Sequence, residues 1–169
     1  AIEALLKYNL IDNHEIRLFG ALNKQINQGQ ELLVDDGFIA WANDDIWFRN
    51  ETTKIGQQVR LAIPLSKTSV DRDQKITGIT LASKVLHNMA PIGLERVTLA
   101  YMPSLTKNFH RYKVNRVFRT NNEYVFSQLL NLSWDITDKY FISTDFLYRN
   151  VWSYEGTKKD DSYDYRMSA

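Results

Sequence analysis

The chain has no cysteine, which excludes disulfide bonds and thiolate metal sites. It has only three prolines and seven glycines, too few for a low-complexity linker or a collagen-like repeat. It has almost no net charge: 21 Lys and Arg stand against 20 Asp and Glu. Lys and Arg are spread along the chain rather than blocked, so nothing points to nucleic acid. No apolar run approaches the roughly 20 residues that a membrane helix needs. The chain starts Ala1-Ile2-Glu3, with neither Met nor a basic region leading into an apolar one. That fits a chain after signal-peptide removal, or an expressed segment.

What is present is aromatic and alternating. There are 9 Tyr, 8 Phe and 4 Trp, and a two-residue rhythm recurs along most of the chain. Over 140–154 one phase reads Tyr140, Ile142, Thr144, Phe146, Tyr148, Asn150, Trp152, Tyr154. The other reads Phe141, Ser143, Asp145, Leu147, Arg149, Val151, Ser153. Successive side chains of a strand point to opposite faces, so this segment has one greasy side and one wet side. The same reading gives nine strands: 2–10, 16–26, 55–65, 76–86, 96–102, 110–118, 124–136, 140–154 and a last one begun by Tyr163. Polar turns separate them, among them 11–14, 66–73, 103–109 and 137–139. Most of these strands exceed the ~5–6 residues usual in globular sheets and match or exceed the roughly 9–11 of a tilted membrane strand. The expectation is one all-β domain over 1–169, an antiparallel up-and-down meander.

Two segments carry a resemblance. Residues 130–148, LNLSWDITDKYFISTDFLY, resemble two strands of a bacterial outer-membrane β-barrel paired around a tight periplasmic turn, and residues 99–109, LAYMPSLTKNF, are similar. The class is porin-like, and no signature motif narrows it. It implies a transmembrane barrel of eight or more strands in the bacterial outer membrane, with outer-membrane lipid as its surroundings. The odd ninth strand fits part of a larger barrel, or a count off by one. It implies short periplasmic turns, near Asp12, Ser104 and Thr137, and longer external loops after Ile26, Phe118 and Tyr154. It also implies an aromatic girdle, for which Tyr124, Trp134, Tyr140, Trp152 and Tyr154 are placed near strand ends. Gly is scarce for the class, and the last residues, Met167-Ser168-Ala169, lack its usual terminal aromatic.

If the wet face lines a lumen, strand phase assigns its charges. The basic set is Lys7, Arg17, Arg60, Lys84, Arg96, Arg111, Lys113, Arg149 and Arg166; the acidic set is Glu3, Asp145 and Asp164, with Asp135 at a strand end. Such a wall favours anions, and arginine adds a fork suited to carboxylate or phosphate. The long segment 27–53 carries Glu31, Asp35, Asp36, Asp44 and Asp45 beside Trp41, Trp47 and Phe48. It reads either as a loop folded against the arginine wall as a constriction, with Asp35, Asp36, Asp44 and Asp45 as its carboxylates, or as an extra hairpin turned at Asn43-Asp44. An acidic turn at 35–37 lacks the ligand spacing of a calcium loop.

No catalytic constellation is read. Of the three histidines, His14 lies in a turn, and His87 and His110 share the apolar phase at strand ends. None is placed to serve a nucleophile on the wet face, and no pair has metal spacing. The expectation is a non-enzyme without cofactor or metal. It is a pore for passive diffusion of small hydrophilic solutes, anionic ones preferred, as a homo-oligomer or with a partner protein. Two alternatives stay open: a closed outer-membrane barrel that anchors or displays loops, and a soluble lipocalin-like ligand-binding barrel.

Overall fold

A computed structural model describes residues 2–10, 13–24, 32–138, 140–159 and 161–168. The strands are β1 (Ile2–Asn9), β2 (His14–Lys24), β3 (Leu32–Val34), β4 (Gly37–Arg49) and β5 (Thr53–Ile63). They continue with β6 (Lys75–Asn88), β7 (Val97–His110), β8 (Asn122–Asp135), β9 (Phe141–Ser153) and β10 (Ser162–Ser168). All belong to one antiparallel sheet in the order β1-β2-β4-β5-β6-β7-β8-β9-β10, with β3 also on β2. β3 prolongs the line of β4 along β2. The register moves by one between Leu22↔Val34 and Phe19↔Phe38, across Asp35-Asp36. The all-β antiparallel meander is as the alternation predicts.

Several boundaries differ. Residues 103–109, expected to turn, lie inside β7, so the expected strand 96–102 runs on to His110 and Ser104 marks no turn. Pro103 misled because it cannot donate to a ladder. The sheet absorbs it: the β6 pairing lapses between Ala82↔Ser104 and Val85↔Tyr101, while Pro103↔Gln128 continues the ladder to β8. The expected strand at 110–118 is a loop. The Asn115 side chain accepts from the amides of Val117 and Arg119, and Phe118 takes a left-handed φ of 57°. Segment 37–49 is neither loop nor hairpin but the single strand β4, paired on both sides. The expected turn at Asn43-Asp44 is a wide bulge, in which the β5 register jumps from Asn43↔Gln57 to Phe48↔Ile55. Glu31, Ile11, Asp12 and the stretch just after Ile26 lie outside the described residues. The turn expected there is seen only in its last part, where Asn13 has φ 64°.

The connections fall at two ends of the sheet: the generally shorter ones around Asn13 and at 50–52, 89–96 and 136–140, the generally longer ones at 64–74, 111–121 and 154–161, with β3 inside the link between β2 and β4. The alternation in length expected from the sequence holds only in part, since 89–96 and 154–161 are equal.

The expected closure is absent. β1 and β10 are the two edges, and no pairing joins them. Eight antiparallel pairings in series leave β1 and β10 running in the same direction, so joining them would need a parallel seam.

Nor does a second layer cover the sheet. Among the described residues the buried apolar side chains are only Ala21, Ala40, Ala42 and Ala100. The accessible surface is 11790 Å², against about 8,600 Å² for a compact chain of this mass. The apolar side chains have therefore gone to one face, and no described residue buries that face.

Candidate functional site: the polar face and its loop-bearing end

Register fixes both faces. One cross-strand row runs Leu6↔Leu18↔Ile39↔Leu61↔Ile79, and the next runs Tyr8↔Ile16↔Trp41↔Val59↔Leu81↔Leu105↔Phe126. Along β5, β6 and β8 this apolar phase holds the exposed mid-strand positions, such as Leu61, Leu81 and Leu132, while the opposite phase is half-buried or buried away from the strand ends. A sheet coiled toward its polar face has this distribution. A soluble barrel with an apolar interior would show the reverse.

One row interrupts the apolar face: His14↔Asn43↔Gln57↔Ser83, taken up again by Gln128↔Tyr148↔Tyr163. Its polar groups are served from the same face. Trp41 Nε1 donates to His14 Nδ1 at 3.1 Å, Trp47 Nε1 to Gln57 Oε1 at 2.8 Å, and Tyr101 Oη to Gln128 Oε1 at 2.9 Å. These pairings pass the cost of a polar atom among hydrocarbon to an aromatic donor. Strand phase alone did not reveal them, because the aromatic partner sits on a neighbouring row.

The polar face collects part of the expected wall. Lys7, Arg17, Ala40 and Arg60 share one row, which sets the Arg17 and Arg60 backbones two strands, about 10 Å, apart. The Arg60 guanidinium lies 4.2 Å over the Phe38 ring, and Phe38 stacks on Phe19 with centroids 5.1 Å apart. Arg17 pairs with Glu15, a wall carboxylate that strand phase had not assigned. The Nε atoms of Arg17 and Arg60 are buried with no hydrogen-bond partner. Lys84 and Arg149 also lie on this face, as do Glu3 and Asp164; Arg166 pairs across to Asp145, which accepts from Asn131 Nδ2 at 2.6 Å. Three expected members are not on strands. Arg96 lies in a short connection, 3.4 Å from Asp138, and Arg111 and Lys113 lie in loop 111–121. Asp135 closes β8, beside the same connection.

Of the four candidate constriction carboxylates, Asp35 and Asp36 precede β4, and Asp44 and Asp45 lie in its bulge toward the other end. Asp36 accepts from the Leu65 and Ser66 amides at 3.1 and 3.0 Å and from the Ser69 hydroxyl. Burial pushes its carboxyl up, but those hydrogen bonds outweigh it and hold the group below the usual range. Asp35 accepts from Asn23. At the other end Asp45 holds Arg49 at 2.9 Å and Asn13 at 3.0 Å, and Asp44 reaches Lys84 at 4.0 Å. Only Asp44 meets the basic wall.

The girdle candidates divide between the ends. Tyr124↔Trp152 and Tyr154 lie toward the long connections, Trp134 and Tyr140 toward the short ones. Lys107 enters this aromatic group from the apolar face. Its Nζ lies 4.1 Å from the Tyr124 ring centroid and pairs with Glu123. A long cation whose tip reaches a strand-end carboxylate suits an interface.

The long-connection end is the best-organised polar region. Loop 111–121 docks on 72–74: Arg116 N donates to Arg72 O, Arg111 N to Gln74 O, and Asn121 Nδ2 to Asp73 O. The Asp73 carboxylate takes two bonds from Arg72, at 2.8 and 3.0 Å, and one from Asn115 at 3.1 Å. The Arg72 bonds, with help from Asn115 and against some burial, hold Asp73 below the usual carboxylate range. A cavity of about 290 Å³ opens beside this network. Among the described residues no cluster of three or more His, Asp or Glu suits a metal ion.

Comparison of the chain with protein-family models, curated proteins and solved structures returned no match. The functional reading therefore rests on the two faces and the loop-bearing end.

Proposed function

We propose that the sheet is wall of a transmembrane β-barrel of the bacterial outer membrane, and that its polar face lines a hydrated passage for small solutes, anionic ones favoured. The observation that carries the reading is the fully uncovered apolar face. Exposed apolar rows span eight adjacent strands, whereas a soluble chain exposes no contiguous apolar area on that scale. Lipid would cover it, and the strand lengths of 11 to 14 residues from β4 to β9 suffice to cross. The partial alternation of connection lengths and the aromatic strand ends agree with that. The anion preference follows from Lys7, Arg60 and Arg149, which have no carboxylate partner among the described residues, whereas Glu15 and Asp44 are engaged by Arg17 and Lys84.

The test has two stages. The protein should leave the outer-membrane fraction only with detergent and migrate differently before and after heating. Full solubility without detergent would end the membrane reading. In a planar bilayer it should conduct, with anions more permeant than cations, and Arg17→Glu with Arg60→Glu should shift permeability toward cations. Absence of conductance would favour the anchoring barrel, and cation preference in the unaltered protein would overturn the basic-wall argument.

A further inference from the structure

We propose that the cavity at the long-connection end binds a phosphate-type oxyanion. Its volume is about 290 Å³, and its permanently basic lining is Arg72, Lys75, Arg119 and Lys159, with the His110 ring beside them, against one carboxylate, Asp73. That carboxylate is already spent: Arg72 holds both of its oxygens and Asn115 Nδ2 donates a further bond to one. Lys159 Nζ donates to Thr120 O and Asn122 Oδ1, both at 2.6 Å. Those partners are neutral, so its charge is positioned but not cancelled. Among the described residues neither Lys75 nor Arg119 has a carboxylate partner. Lys75 and Lys159 lie close enough to His110 for their charges to act on it, and Lys75 is directly opposite His110 in the ladder. His110 is fixed by Tyr154, whose hydroxyl accepts from the His110 amide at 3.1 Å and donates to Asn108 O at 2.7 Å.

Like charges are gathered here with their neutralising partner withheld. Such a gathering costs free energy unless an anion completes it, and an arginine fork beside lysines matches a phosphate. Buried Asn108, Asn121 and Ser69 hold the floor in place. The site does not depend on whether the sheet conducts, so a failed conductance test leaves it standing.

The probe is inorganic phosphate, added to the folded protein in a phosphate-free detergent, with the His110 ring followed by NMR. A saturable shift is expected. Lys75→Gln combined with Arg119→Gln should weaken it about tenfold or more, roughly 1.4 kcal/mol, while Arg96→Gln, in the connection 89–96 at the opposite end of the sheet, should leave it unchanged. If the double variant fails to fold, Lys75→Gln alone is read in the same way. A parallel titration with a phosphatidic acid micelle separates the sources. Competition with inorganic phosphate for one His110 shift supports a single site that accepts either. No saturable shift with either probe, or a shift that both variants leave intact, overturns the proposal.

Discussion

At the residue scale, lipid and protein cover make different demands on the apolar face. Leu81 stands mid-strand in β6, 48% exposed, and Leu132 stands near the end of β8 on the same face, 46% exposed. In vesicles, Leu81→Arg is expected to destabilise by ~2–4 kcal/mol and Leu132→Arg by less, approaching the ~0–1 kcal/mol of an interfacial position, the depth profile of a bilayer. Equal costs in equilibrium folding titrations would speak for a protein partner over lipid. The Tyr101–Gln128 pair offers a second measurement. Tyr101→Phe removes the 2.9 Å hydroxyl bond and leaves an amide oxygen facing hydrocarbon, at a cost of ~1–3 kcal/mol. Adding Gln128→Leu should recover most of that loss. If water covers this face instead, Tyr101→Phe will be nearly neutral and the second change will recover nothing.

At the element scale, two devices hold the sheet and its loops. The wide bulge of β4 presses on Gly56 of β5: a Cβ there would meet Asn43 O and come within 2.6 Å of Asp44 C. Backbone cannot retreat as a side chain can, so Gly56→Ala should cost ~1–3 kcal/mol. It should also remove the hydrogen-exchange protection that β4 and β5 give each other near Asn43↔Gln57. Gly20→Ala, with open space around it, is the comparison that should change little. The second device is Asp73. Its folded-state pKa lies below the ordinary 3.8, so its contribution is complete above that value and is lost as pH falls through the depressed one. Loop 111–121 should therefore loosen in acid, seen as faster exchange at the Asn121 and Arg116 amides, and Asp73→Asn should abolish that step. Pro103 inside β7 and the Asn115-braced loop were hard to read in the sequence for one reason. Alternation reports faces, whereas both depend on what neighbouring strands can tolerate. Asn115 sat in phase with a strand and turned the chain all the same, because its side chain accepts two backbone amides.

At the scale of the whole molecule, the two faces were legible and the closure was not. Period two places Leu61 and Arg60 on opposite sides whatever their neighbours do, which is why Lys7, Arg17, Arg60, Lys84, Arg149 and Arg166 share the one polar face that their phase gives them. Arg96, Arg111 and Lys113 were lost with the strand boundaries, not with the phase. Closure depends instead on strand parity, which one false strand (110–118) and one strand missed on the main path (β4) left untouched by accident, β3 lying off that path. β1 and β10 point the same way, so an all-antiparallel barrel needs an odd number of strands between them beyond those described. Copies arranged about a common barrel axis keep strand direction and would meet in the same parallel seam. A barrel of ten strands or more, completed by other chain, is what the membrane reading requires. Spin labels at Lys7 and Asp164, on the wet faces of β1 and β10, measure this in the membrane-inserted protein. The labels should sit well beyond the ~5 Å backbone spacing of neighbouring strands, both within one molecule and between singly labelled copies. A neighbour-strand distance within one molecule would mean that these strands close on themselves through a parallel seam. The same distance between copies would mean that the chain assembles its barrel from identical walls. Either would remove the need for further strands.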